Sequence, residues 1–163
     1  MAISLLMLCI NCSEVKTIKP FELPSNSASL IAGDRSKTWK LARRYNGRTR
    51  MNMENCFLSY RQTYSVTGAV SDNNGKGSNC GESLVGQWQL IKDSLGYSYI
   101  QVSSPQIPEL MGIEEGFKNF RIFYLSKDSL HISFEHTQFG ERRRISDYLV
   151  QEDIAVADRD FHF

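Results

Sequence analysis

Four cysteines and three histidines are the residues of this 163-residue chain best suited to metal, redox or nucleophilic chemistry. Cys56 and Cys80 lie in the body of the chain, with no Cys-x-x-Cys beside them and no histidine at ligand spacing, so a shared metal is a weak reading. Two free buried thiols, or a disulfide if the chain is exported, are the alternatives. Closing a loop of about 25 residues would stabilise the fold by roughly 3 kcal/mol in the chain-entropy model. His131, His136 and His162 form no i, i+2 or i, i+4 pair, so no metal or other cofactor is expected. Gly-x-Ser-x-Gly is absent, and "DNNGKGSN" has glycines and a lysine without phosphate-loop spacing. Glu114 and Glu115 are adjacent, and in an extended chain they point to opposite sides, which suits no pair acting on one bond. No nucleophile, base and orienting group come together by local spacing. An enzyme is not the expectation from these residues, and it would need distant side chains to converge in the fold.

Basic residues are the other chemical feature. "KTWKLARRYNGRTR" interleaves Lys37, Lys40, Arg43, Arg44, Arg48 and Arg50 with Trp39 and Tyr45, and "ERRRISD" adds Arg142, Arg143 and Arg144. Basic and aromatic residues together suit a phosphate backbone with stacked bases. A strand with a solvated charged face is the simpler reading, and a net charge of +1 gives no overall attraction to nucleic acid. The second cluster is expected to keep an edge strand soluble.

Hydrophobic residues at 41% and charged ones at 23% describe one globular domain, long enough to bury a core. From Lys37 onward, aromatic and β-branched runs alternate with Gly, Asn, Asp, Ser and Pro breakers of hairpin size, and no sustained helical stripe occurs. Eight strands are expected, from "TWKLARRYN" and "CFLSYRQTYSVT" through to "RRRISDYLV". Period-2 alternation sets Leu130, Ile132 and Phe134 on one face, and Trp88 with Leu90 on another. On the second strand Cys56, Leu58, Tyr60, Tyr64 and Val66 align, with Gln62 as an interruption. The long break from Ser104 to Gly116 reads as a short helix or a flap. About eight antiparallel strands suit a small closed up-and-down barrel, which leaves no sheet edge.

The first residues differ in kind. Ala2 to Ile10 is apolar and uncharged, far short of the roughly 20 residues that span a bilayer, but of the length of a secretory signal core. A cysteine ending such a run resembles a bacterial lipoprotein signal, with Cys12 the expected acylation site and Cys9 the alternative. Residues 1–12 then read as signal, 13–36 as a tether, 37–151 as the barrel and 152–163 as a tail.

"TWKL", "ENCFLSYRQTYSVTG", "NNGKGSNC", "GQWQL" and "FRIFYLSKDSLHISF" follow one another in an order that resembles the lipocalin-like domain of exported Bacteroidota lipoproteins. Lipocalins carry Gly-x-Trp on their first strand. Here "KTWKL" takes that place, and the literal Gly86-Gln87-Trp88 comes later, with Gly86 expected to permit close backbone approach or a bend. The resemblance implies an all-β, lipocalin-like barrel, a disulfide between Cys56 and Cys80, and binding rather than catalysis. Trp39, Tyr60, Trp88, Phe120, Ile122 and Phe134 are the expected lining of a cavity for a small apolar or amphipathic ligand; the alternative is that they fill the core. The chain is expected in the outer membrane or periplasm on its lipid anchor, without nucleic acid. A protein-interaction module, such as an accessory subunit of an envelope complex, is the runner-up, and a barrel-scaffold enzyme is third.

Overall fold

A computed structural model describes residues 19–138 and 140–162. Its elements are α1 (Ser27–Ala32), β1 (Ser36–Asn46), β2 (Thr49–Arg50), α2 (Asn55–Ser59), β3 (Arg61–Ser65), β4 (Ala69–Asp72), β5 (Val85–Lys92), β6 (Ser98–Ser103), α3 (Ile107–Met111), β7 (Phe117–Leu125), β8 (Ser129–Gln138) and β9 (Glu141–Gln151). β1 pairs with β3, each strand from β3 to β9 pairs with the next, all antiparallel, and β1 also pairs with β9, which closes an eight-stranded up-and-down barrel. The two-residue β2 is a short return of β1 outside that circuit.

Alternation explains most of the interior. Leu130 and Ile132 on β8, Ile100 and Val102 on β6, and Trp88 on β5 all point into a single core. Two bulges reset the phase. Between Leu41 and Arg43 the register of β1 against β9 slips by one residue, so Ala42 is the extra residue. A similar slip between Ile122 and Tyr124 lets Ile122 and Leu125 both face inward. A bulge of this kind reverses which side chains point in on the far side of it.

One end of the barrel is plugged. Helix α1 buries Ile31 and Ala32 completely. The Trp39 indole Nε1 donates to the Ile31 carbonyl at 2.9 Å. Lys37 lies 4.2 Å over the Trp39 ring and donates to the Leu30 carbonyl at 2.9 Å. Phe21 and Leu23 pack on the same core. The stretch read as a tether packs on the barrel from Phe21 onward, and α1 falls where "SASLIAGD" permits a turn of helix. The C-terminal segment also returns to the barrel, where Arg159 donates to the carbonyls of Leu41 (2.9 Å) and Leu58 (3.0 Å).

The expected second strand requires correction. Asn55–Ser59 is a helical turn, and only Arg61–Ser65 is strand. Gln62 therefore faces inward with Tyr64, whereas Val66 lies beyond the strand end and is 55% exposed. Cys56 on α2 is bonded to Cys80, as expected, with a Cα–Cα distance of 5.3 Å. Gly86 also behaves as expected. A Cβ there would sit 2.4 Å from the Ser103 carbonyl oxygen, so β5 and β6 approach more closely than any side chain would allow.

Candidate functional site

Opposite the α1 plug, the barrel is hollow. A cavity of about 530 Å³ opens beneath α2, α3 and the loop that carries Cys80. Its volume is in the range of small-molecule sites. Phe57 of α2, Leu110 and Met111 of α3, and Phe120, Ile132 and Phe134 of the wall give it an apolar lining. Phe120 and Phe134 meet edge to face at 5.2 Å.

Helix α3 roofs the cavity because its ends are fixed. Ile107 is fully buried, Pro108 sits in the first turn, and Gly112 ends the helix at φ 61°. Ser104 donates through its hydroxyl to the Val85 carbonyl (2.7 Å), and Gln106 accepts from the Val85 amide (2.9 Å). The segment from Ser104 to Gly116 is thus a lid anchored at its root to the strand that carries Gly86.

Polar groups cluster on one side of the cavity. Arg44 and Asp147 face each other across β1 and β9 in a bidentate pair, both hydrogen bonds 2.6 Å long. The Arg44 guanidinium also lies 4.8 Å over the Phe57 ring. Burial disfavours its charge, but the charge and hydrogen bonds of Asp147 outweigh this and leave its pKa above the usual value. Gln62 accepts from the Tyr64 hydroxyl at 3.0 Å. Asp72 accepts from the amides of Asn74 and Leu84, both at 3.1 Å. Burial nevertheless pushes the Asp72 carboxyl up, and burial together with Asp72 pushes the Tyr60 hydroxyl well up.

The six residues expected to line a cavity divide by depth. Tyr60, Phe120 and Phe134 line it. Trp39, Trp88 and Ile122 lie in the packed core. Trp88 meets Tyr64 edge to face at 5.4 Å, and its indole donates to the Ser65 carbonyl at 2.9 Å. Trp39 belongs to the plug. Sequence reasoning missed Arg44, which it placed on a solvated face. Strict alternation from Trp39 and Leu41 sends Arg43 inward; the bulge at Ala42 sends Arg44 there instead.

His136 also lines the cavity. His131 lies on the outer face, stacked between Phe123 (5.2 Å) and Tyr148 (4.0 Å), with its Nε2 buried and without a hydrogen bond. Burial lowers its pKa. Among the described residues, no three His, Cys, Asp or Glu side chains come together as a metal site. Among those residues, too, no helix is long and apolar enough to cross a membrane. Cys9 and Cys12 lie outside the described residues.

Fold and site together define a closed antiparallel β-barrel with one plugged end and one amphipathic cavity. No family model and no curated protein matches the chain. Among solved structures it is similar to a lipocalin-like protein from Bacteroides uniformis, at 16% identity and a TM-score of 0.47, over 72% of this chain and 98% of that one.

Proposed function

We propose that this chain is a lipocalin-like binding protein that holds a small apolar or amphipathic molecule in its barrel cavity, exported on a lipid anchor at Cys12. The half-hollow barrel carries the proposal: apolar walls, a compact group of polar residues and a roof of two short helices. Such a mixture of apolar surface and few polar groups is the usual make-up of small-molecule sites. The Cys56–Cys80 disulfide supports residence in an oxidising compartment.

Binding is favoured over catalysis because the cavity carboxylates are already engaged. Asp147 is held by Arg44, and Asp72 accepts two backbone amides. Neither is left free as a general base. The runner-up, an accessory subunit of an envelope complex, draws on a separate feature. A shallow outer depression of about 290 Å³ is bordered by Arg43 and the exposed Tyr124 and Tyr148.

Native mass spectrometry of protein purified from its source tests the main reading, with a co-purifying small molecule expected. An apolar fluorescent dye should brighten on binding, and Leu110→Trp, which fills space under the lid, should weaken it. Absence of both a ligand and a Trp-sensitive dye signal would overturn the proposal. Metabolic labelling with a fatty-acid probe tests the anchor: label should be lost from Cys12→Ser and kept in Cys9→Ser.

A further inference from the structure

The ladder between β7 and β8 stops partway up the barrel wall. These strands pair from Leu125 with Leu130 up to Arg121 with Ser133, and no further. Beyond that point β7 stays with β6 as far as Phe117, and β8 stays with β9 as far as Gln138. Two strand edges therefore face each other unpaired, a feature that closed barrels otherwise avoid. What spans the gap is side chain: the Phe120–Phe134 ring contact, and Lys118, whose Nζ donates to the Glu135 carbonyl at 2.6 Å.

Outside this gap lies a groove of about 520 Å³. Lys118 and Phe134 line both the groove and the inner cavity, so those two side chains form the shared wall. Lys118, Arg121, Arg142 and Arg144 border the groove, against two carboxylates, Glu115 and Glu135. Arg142 and Arg144 both lean on Glu135, at 3.7 and 3.3 Å, so one carboxylate serves two guanidiniums. Inside the barrel, Arg44 is neutralised by Asp147. Arg121 has a further counter-charge in Asp93. The excess positive charge outside the gap thus lies on Lys118, Arg142 and Arg144, which share Glu115 and Glu135, and the apolar lining lies inside. Partial burial lowers the pKa of Lys118, and an anion beside it would offset that cost.

We propose that the gap between β7 and β8 is a side portal for an amphiphile with an anionic, phosphate-like head, whose head rests on Lys118, Arg142 and Arg144 and whose tail passes into the cavity. This rests on the reading of the cavity as a ligand site. In the portal, Lys118 exchanges the Glu135 carbonyl for the head group, and Phe134 swings with it.

Displacement of the apolar dye by dodecyl phosphate, dodecanol, dodecyltrimethylammonium and inorganic phosphate tests the proposal. A few partly exposed charge contacts should together make dodecyl phosphate about tenfold tighter than dodecanol. Arg142→Gln combined with Arg144→Gln should remove most of that advantage and leave dodecanol unchanged; both side chains are exposed, so the fold should persist. Equal affinities, tighter binding of the ammonium probe, or an advantage that survives the double variant would overturn the portal while leaving the cavity reading intact. Displacement by inorganic phosphate alone would mark a free-anion site and overturn the amphiphile. If no probe displaces the dye, the cavity reading falls, and the portal with it.

Discussion

The Arg44–Asp147 pair offers a quantitative test of how the polar side of the cavity is held. Asp147 retains 7% side-chain exposure and Arg44 19%. Removal of one partner from a buried pair costs about 3–5 kcal/mol, because the other charge is left without compensation. The guanidinium faces a cavity that admits water, so the low end of that range applies. Asp147→Leu and Arg44→Met should therefore each cost about 3 kcal/mol, a fall in Tm of roughly 6–12 °C for a domain of this size. The combined variant replaces both charges with apolar groups of similar bulk, for which buried pairs elsewhere show little net loss. It should lie within about 1 kcal/mol of the original chain, far from the roughly 6 kcal/mol that additivity demands. Urea unfolding at pH 7, followed by tryptophan fluorescence, measures all four corners of the cycle. Single variants that each cost under about 1 kcal/mol, or losses that simply add, would refute the claim that the two charges are buried for each other.

Gly86→Ala should cost about 2–3 kcal/mol, since its methyl group meets the Ser103 backbone and must part β5 from β6; chemical denaturation measures it. The same change should weaken dye binding, because the lid is rooted at Ser104 and Val85. Cys56→Ser with Cys80→Ser should lower stability by about 3 kcal/mol, as expected for a loop closed across 24 residues, and calorimetry would register it. For His131, burial lowers the folded-state pKa below the ordinary 6.5. The unfolded chain then takes up the proton first, so the His131 contribution to stability is fully present above pH 6.5 and is lost as the pH drops below it. His131→Phe should flatten that slope in urea titrations between pH 5 and 8.

The inward faces of β5 and β8 were legible because each strand keeps strict alternation over Trp88–Leu90 and Leu130–Phe134. Gly86 was legible because a glycine inside a strand has few other uses. What escaped depended on long-range geometry. The bulge at Ala42 leaves no composition signal, yet it moves Arg44 from solvent to cavity. The α2 turn carries Cys56, Phe57 and Leu58, apolar residues that suit a strand equally well until the disulfide and the loop length decide. The halted ladder between β7 and β8 is a property of pairing, and neither strand alone announces where its neighbour departs.

Plugging one end of the barrel has an orienting consequence. Pro20 lies beside Gly96 in the β5–β6 turn, and Phe21 contacts Tyr124 near the lower end of β7, so the described chain begins at the plugged pole. The cavity mouth lies at the opposite pole, roughly 25 Å away along tilted strands of this length. Any leash attached through the residues before Lys19 would hold the barrel like a cup by its base, with the rim turned outward. Cargo would then be exchanged with whatever approaches from the far side, and the flank between β7 and β8 would be reached sideways, without inverting the cup.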